Sequence, residues 1–348
     1  MAGEGIQAVY SLEQIRMLLE KVPRVSLANL PTPLEECKRL SQILLGPRIW
    51  MKRDDQTGLA FGGNKTRQIE FLLGDVITQG ANAIVTGAGS QSNFCRQLTA
   101  AAAKLGLKIC LILMRGVKGS ELQGNLLLDH LLGAEIEIVD EADSLNLVPH
   151  FERKAESLRQ KGYKPYIVEP RGRSAPLLSL GYVNALLELV GQLAERKISL
   201  DYLYLSAANM TEAGLALAAR ALGLRLKIVG ISPIKWQEPR PVDIAHIANC
   251  TAEILGLNIQ LSPNQILNSE DYIGEAYGIP TPEGNAALRL VAQSEGILLD
   301  PVYTAKAMAA LIDHIQSKKI KREETVLFLH TGGTPALFAY AQELAQPA

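Results

Sequence analysis

Residues 83–105 read AIVTGAGSQSNFCRQLTAAAAKL, a stretch that passes from a strand pattern to a helix pattern through one short loop. An apolar run leads into glycines and small hydroxyl side chains, and an alanine-rich segment then ends at Gly106. A second apolar run, residues 108–114, follows at once. The order strand, tight loop, helix, strand is typical of a βαβ unit in a parallel sheet. Because ligands bind at the carboxyl ends of such strands, the loop at 86–94 is a candidate ligand site.

The same alternation continues in both directions along the chain. Besides 83–86 and 108–114, strands are predicted at residues 48–52, 135–139, 164–168, 202–205, 227–231 and 326–329. Helices are predicted at residues 66–79, 92–105, 122–132, 142–160, 176–195, 211–222, 283–295 and 304–317. Glycines suited to helix C-caps are Gly80, Gly106, Gly133, Gly162, Gly223 and Gly296. We therefore predict an α/β fold with parallel twisted sheets flanked by helices, in a small domain (66–170) and a large domain (1–65 with 171–348).

Composition narrows the possible function. The 348 residues suffice for two domains that share a cleft. Basic and acidic residues are balanced, 35 against 36, so neither nucleic acid nor a membrane surface is an expected partner. Four scattered cysteines and the lack of a signal-peptide pattern predict a cytoplasmic protein. The longest apolar run, residues 109–114, is too short to span a bilayer, and the five histidines form no metal-binding motif.

A lone lysine, Lys65, follows Gly62, Gly63 and Asn64 at the expected start of a helix. The helix dipole disfavours a cation in the first turn, so the position needs another reason. An apolar setting lowers the pKa of a lysine and frees its amine to attack a carbonyl. Glycines let the backbone approach a flat ligand. The simpler interpretation is an exposed lysine in the first helical turn.

Two further loops occupy the same position between a strand and a helix. One reads HTGGTPAL at 330–337, and the other reads SAANMTEAGL at 206–215 without a glycine in its first half. Any one such loop is as consistent with a plain turn as with a ligand site. Two glycine-rich loops together with an isolated lysine favour a bound cofactor.

Five segments of the chain carry a resemblance to a known family. They are KRDDQTGLAFGGNKTRQIEFLL, TGAGSQSNFCRQLTAAAAKLGL, EAYGIPTPEG, LLDPVYTAKAM and LHTGGTPALFAY. These segments resemble the 1-aminocyclopropane-1-carboxylate deaminase and D-cysteine desulfhydrase family over nearly the whole chain and in the same order. The resemblance implies the tryptophan-synthase-β fold (fold type II), pyridoxal 5'-phosphate as cofactor, a small amino acid as substrate, and a homodimer.

The resemblance also implies roles for individual residues. Lys65 resembles the lysine that holds the cofactor as a Schiff base, and Asn93 the asparagine that contacts the pyridine 3-oxygen. The other cofactor-binding residues implied are Asn64, Thr211, Thr304, Thr331 and Gly332. The catalytic residues implied are Lys65, Ser92, Tyr277 and Tyr303. The substrate-binding residues implied are Gln91, Ser92, Phe94, Arg173 and Ser174.

One position bears on the choice of reaction. Deaminases of the cyclopropane substrate tend to carry glutamate after the second tyrosine, where this chain has Thr304. A carboxylate near the ring nitrogen would hold its proton and strengthen the electron sink, whereas a threonine would not. Since β-elimination demands less of that sink than ring opening, Thr304 favours a desulfhydrase-like lyase or deaminase.

Some residues depart from the family pattern. Residues 207–211 read AANMT where relatives have a glycine-rich phosphate cradle, and Gln68 stands where a phosphate-binding lysine is usual. Weak phosphate binding is therefore expected, and the alternative is a non-catalytic or repurposed member that retains the fold. A dinucleotide site at GAGSQS is disfavoured, because the next strand ends in Met114 and Arg115 and not in an acidic residue.

Overall fold

A computed structural model of the protein describes residues 9–169 and 172–345. The strands are β1 Leu34–Glu36, β2 Arg48–Lys52, β3 Ala83–Gly89, β4 Lys108–Met114, β5 Glu135–Val139, β6 Pro165–Ile167, β7 Tyr202–Ser206, β8 Lys227–Ile231, β9 Leu267–Ser269 and β10 Thr325–Leu329. The helices are α1 Leu12–Leu19, α2 Lys38–Ile43, α3 Asn64–Thr78, α4 Asn93–Leu105, α5 Gly124–Leu131, α6 Val148–Gln160, α7 Ala175–Arg196, α8 Met210–Ala221, α9 Arg240–Leu255, α10 Pro282–Glu295, α11 Thr304–Gln316, α12 Ala336–Ala339 and α13 Ala341–Ala345.

The larger of two sheets has the strand order β1-β2-β10-β7-β8-β9. All of its neighbouring strands are parallel except β1, which runs antiparallel to β2. The sequence did not predict β1 and β9, because each has only three residues and lies at a sheet edge, where no apolar run is needed. The sheet is therefore mixed at one edge and parallel elsewhere.

The smaller sheet has the order β5-β4-β3-β6 and is parallel throughout. Its central strands pair from Ala83 with Lys108 to Gly89 with Met114. Ile84, Val85, Leu111 and Ile112 are fully buried, as continuous apolar runs in a covered parallel sheet should be. The α/β fold with parallel sheets flanked by helices is thus confirmed, while the boundary between the two domains stays a prediction.

Several helices end at the glycines that the sequence predicts as C-caps. Gly106 and Gly296, for example, have φ angles of 70° and 68°, the left-handed conformation that closes a helix. Helix α9 was not predicted, because it begins with Arg240 between two prolines, a pattern that reads as a loop.

Helix α7 lies at the centre of the larger helical layer. A Cβ on Gly181 would lie 2.4 Å from the Arg67 carbonyl oxygen, and one on Gly214 of α8 would lie 2.3 Å from the Ser179 carbonyl oxygen. These glycines let α3 and α8 approach α7 closely. By length and composition α7 could cross a membrane, but 56% of its most apolar 18-residue stretch is buried inside the protein.

An ionic cluster fixes α3 against α7. The guanidinium of Arg67 lies 2.9 Å from both Asp54 and Glu188, and the Asp54 and Arg67 side chains are almost completely buried. Lys52 binds the same Glu188 carboxylate. Breaking one member of such a buried group is strongly destabilising, because an uncompensated charge remains. The cluster therefore holds the first turns of α3, which carry Lys65, in one position.

Candidate active site

A cavity of about 730 Å³ opens where the carboxyl ends of β3, β7 and β10 meet. Its lining includes residues of all three loops predicted to bind a ligand, together with the start of α3. The predicted site residues in the lining are Asn64, Lys65, Ser92, Asn93, Phe94, Thr211, Tyr277, Tyr303, Thr331 and Gly332. Their placement at strand ends agrees with the general location of ligands in α/β proteins.

The loop before Lys65 is held in an unusual conformation. Gly62 and Gly63 have φ angles of 67° and 127°, and the preceding Ala60 and Phe61 also have positive values, 44° and 68°. Non-glycine residues adopt this region at an energetic cost and mostly at functional sites. The Gly63 N–H donates to Thr57 Oγ1 at 2.8 Å, which returns a bond to the Gly63 carbonyl at 2.9 Å.

The glycine pair also allows a close approach between two loops. A Cβ on Gly332 would lie 2.7 Å from the Gly63 Cα, so neither position leaves room for a side chain. The Asn64 N–H donates to the Thr331 carbonyl oxygen at 2.9 Å and ties the loops together. The two loops are therefore closely packed at this wall of the cavity.

Lys65 points into the cavity from the first turn of α3. Its amine forms no hydrogen bond or ion pair with any of the described residues, and burial lowers its pKa to about 8. A lysine that is partly neutral near physiological pH and has no partner can attack a carbonyl carbon.

Asn93 begins α4, lines the same cavity and is held by a buried arginine. Its Oδ1 accepts from Arg96 Nη1 at 2.7 Å and from Asn125 Nδ2 at 3.0 Å. Arg96 is fully buried and also donates to the Gly62 carbonyl at 2.8 Å. Within residues 9–169 and 172–345, the Asn93 Nδ2 group has no acceptor, so it is free to donate to a ligand.

The loop between β7 and α8 lies at another wall. None of residues 207–211 has a positive φ angle, so the loop has no position that requires glycine. The Ala207 N–H donates to the Ile231 carbonyl, and the Met210 N–H donates to Asn209 Oδ1. Gln68 is completely buried and donates to Thr211 Oγ1 at 3.2 Å.

Two tyrosines, Tyr277 and Tyr303, line the same cavity as Ser92. The hydroxyls of Tyr277 and Tyr303 are in direct contact, and their rings meet edge to face with centroids 6.0 Å apart. Burial raises the pKa of both phenols, and that of Tyr303 is raised further by its neighbour. Ser92 Oγ accepts from the Cys95 N–H at 3.2 Å, which leaves the serine proton free.

The structure places three of the predicted substrate-binding residues outside the cavity lining. Gln91 donates to the Gln123 carbonyl and accepts from the Asn125 N–H, so it anchors the start of α5. Arg173 has a side chain 63% exposed and pairs with Glu169. Ser174 is buried and accepts from the Glu169 N–H at 3.1 Å. All three have partners within the protein, and their roles in substrate binding stay predictions.

Thr304 also lies outside the lining. It is fully buried, and its hydroxyl donates to Asp300 Oδ1 at 2.7 Å in the turn that starts α11. The same carboxylate accepts from the Tyr303 and Val302 N–H groups. Thr304 is thus bonded within its own turn and does not line the cavity, so its role toward the cofactor stays a prediction.

Residues 142–145 and the segment 233–240 also line the cavity, and the sequence patterns did not predict this. Arg240 there is buried and stacks on Trp236. Arg96 and Thr57, which hold Asn93 and Gly63, were also missed. Buried arginines and threonines have no local pattern, so only their tertiary contacts reveal them.

The residues present fit pyridoxal phosphate. The unpartnered Lys65 amine suits an aldehyde, and the free Asn93 amide suits an acceptor on a flat ring. The start of α8 with the Thr211 hydroxyl suits an anion. Gly332 lines the cavity without a side chain, so a flat ring can approach the backbone there.

Comparison with known proteins gives the same result. Residues 25–332 match the family described as pyridoxal-phosphate dependent enzyme. A D-cysteine desulfhydrase of Yersinia enterocolitica is 40% identical over 327 residues, covering 92% of this chain and 97% of the relative. One from Klebsiella pneumoniae is 39% identical, with coverages of 94% and 98%. A crystal structure of an ACC deaminase homologue superimposes with a TM-score of 0.85 at 36% identity, covering 95% of this chain and 98% of that one. By sequence, by fold and by the residues around its cavity, the chain belongs to the family of pyridoxal-phosphate-dependent enzymes.

Proposed function

We propose that this enzyme is a lyase that removes the β-substituent of a small amino acid, with D-cysteine as the representative substrate. The products from D-cysteine are sulfide, pyruvate and ammonia, with one water consumed. The observation that carries the proposal is the free Lys65 amine in one cavity with the paired Tyr277 and Tyr303 hydroxyls. The two desulfhydrase relatives, covered over nearly their whole length, support the substrate class.

Pyridoxal phosphate supplies the electron sink for this chemistry. In our proposal Lys65 Nζ holds the cofactor and moves a proton at the substrate α-carbon. Asn93 Nδ2, in an orientation fixed by Arg96, would donate to the cofactor ring. Asn64, Thr211, Thr331 and Gly332 complete the cofactor site.

The tyrosines and Ser92 act on the substrate. Both phenols have a pKa above the ordinary value of 10 and are protonated at neutral pH, so a tyrosine hydroxyl has a proton to donate to the leaving sulfur. Ser92 Oγ, whose proton is free, donates to the substrate carboxylate. Phe94 lies in the lining and excludes water from this end.

We also propose three features of the whole protein. The small domain comprises residues 66–170, which contain all strands of the four-stranded sheet. The family resemblance supports a homodimer. The scattered cysteines, none of which forms a disulfide in the described residues, support a cytoplasmic location.

A substrate panel tests the proposed reaction. Keto-acid release is measured with D-cysteine, β-chloro-D-alanine, their L-forms and 1-aminocyclopropane-1-carboxylate. We expect turnover of the β-substituted amino acids with one stereochemical preference. Turnover of the cyclopropane compound alone would show ring opening to be the activity. No turnover of any compound, with no visible absorption band after addition of pyridoxal phosphate, would support the non-catalytic alternative.

A further inference from the structure

A buried cation lies beside the loop that faces the expected phosphate. Arg240 begins α9, is only 5% exposed, and lines the same cavity as residues 206–211. Its Nη1 lies 3.4 Å from the Ala208 carbonyl oxygen in the middle of that loop. Arg240 is therefore in contact with the anion loop from a different helix.

The loop itself offers few groups to a dianion. Two of its N–H groups, those of Ala207 and Met210, already have acceptors. Gln68 is neutral, and its amide is used on Thr211. A phosphate at the start of α8 thus has the Thr211 hydroxyl and the helix terminus. Neither cation in the first turns of α3 is available to it, because Lys65 is needed elsewhere and Arg67 is paired with Asp54 and Glu188.

The cavity lining contains two other cations besides Lys65. Lys235 is exposed, whereas Arg240 is buried and oriented. Its guanidinium lies 4.6 Å from the centre of the Trp236 ring and 2.9 Å from Asp243, whose side chain is 29% exposed. These two contacts fix the planar group, so an anion meets a preformed fork of donors.

We propose that Arg240 binds the phosphate of pyridoxal phosphate and replaces the lysine that this chain lacks at position 68. The arginine then bridges Asp243 and the phosphate, and the buried positive charge is compensated from both sides. Burial lowers the pKa of Arg240, although the ion pair with Asp243 acts in the opposite direction. Asp243 alone therefore compensates the buried positive charge only in part. The proposal rests on the use of this cofactor and is independent of the amino-acid substrate.

The test compares pyridoxal phosphate with pyridoxal, which lacks only the phosphate. Dissociation constants of both are measured by absorption titration of apoprotein. For Arg240→Gln combined with Asp243→Asn, which leaves no unpaired carboxylate, we expect pyridoxal phosphate to bind roughly 10- to 150-fold more weakly. Binding of pyridoxal should be unchanged.

Two single variants sharpen the result. Asp243→Asn frees the arginine from its partner and should strengthen pyridoxal phosphate binding without affecting pyridoxal. Lys235→Ala, which removes the exposed cation of the same wall, should change the affinity for pyridoxal phosphate less than twofold. Circular dichroism and thermal melting check that each variant is folded.

The proposal is overturned if the double variant keeps the wild-type preference for pyridoxal phosphate over pyridoxal. It is also overturned if Lys235→Ala has the same effect, since diffuse charge and not Arg240 would then hold the phosphate. An equal loss of both ligands in a folded double variant would likewise contradict it, because Arg240 would then support the ring and not the anion.

Discussion

The side-chain amide of Asn64 donates a 3.0 Å hydrogen bond to Thr211 Oγ1, and so joins the residue next to the reactive lysine to the first turn of α8. Gln68, one turn further along α3, donates to the same oxygen. With both lone pairs engaged, the threonine proton is free to face the cavity. The positions of the lysine and of the anion loop are therefore fixed relative to each other.

The Thr211 hydroxyl gives a first prediction. Thr211→Val keeps the shape but removes a donor to the phosphate and leaves two buried amides without an acceptor. A lost charge-assisted bond costs about 1.5–3 kcal/mol, so pyridoxal phosphate should bind roughly 10- to 150-fold more weakly in an absorption titration. Thr211→Ser, the matched control, should bind it nearly as well as the wild type. Equal affinities for the valine and serine variants would contradict this role.

The lowered pKa of Lys65 predicts a pH dependence of cofactor capture. Only the neutral amine attacks the aldehyde, and its pKa is about 8, below the ordinary 10.5. The rate of pyridoxal phosphate binding to apoprotein should therefore rise as the pH increases through about 8 and level off above it. Stopped-flow absorption measures this rate. A midpoint near 10 would show that burial does not perturb the amine.

Removal of the amine is the companion experiment. Lys65→Ala should abolish the visible band of the bound cofactor and essentially all turnover. The fold should be retained, because the ion pairs of Arg67 that anchor α3 are untouched. Turnover by Lys65→Ala at the wild-type rate would exclude Lys65 as the reactive group.

The tyrosine pair predicts a non-additive effect. Since the two hydroxyls touch, either Tyr277→Phe or Tyr303→Phe disrupts the pair. Loss of a general acid typically lowers kcat by roughly 10²- to 10⁴-fold, and the double variant should be about as slow as the slower single variant. Tyr340→Phe is the control, because that hydroxyl donates to the Gly278 carbonyl and not into the cavity lining. If the fold losses in kcat of the two single variants multiply in the double variant, the two phenols act independently.

The hydrogen bond from Arg96 to Asn93 predicts a loss of cofactor affinity that does not depend on the phosphate group. Arg96→Lys keeps a charge but cannot span Asn93, Asn125 and the Gly62 carbonyl at once. Pyridoxal and pyridoxal phosphate should therefore both bind more weakly and by similar factors, unlike the Arg240 variants. The melting temperature should also fall, because buried acceptors lose their donor. A selective loss of pyridoxal phosphate alone would contradict this assignment.

Local patterns predicted most of the framework. Strands β2, β4, β5 and β8 have the predicted bounds, because a continuous apolar run that ends in a turn signal is a local property. Edge strands β1 and β9 and helix α9 were missed, since sheet edges and a proline-flanked helix start carry weak local signals.

The sequence by itself determined the α/β class, the three loops of the cavity and the position of Lys65 behind two glycines, because hydrophobic period and backbone freedom depend on neighbouring residues. Tertiary structure alone decided which polar side chains face the cavity. Thr304 donates to Asp300, and Gln91 donates to the Gln123 carbonyl before α5. Arg240 contacts the Ala208 carbonyl, although it lies about thirty residues further along the chain. The direction of a polar side chain depends on which partners the folded chain brings within hydrogen-bonding distance, and sequence spacing does not encode those partners.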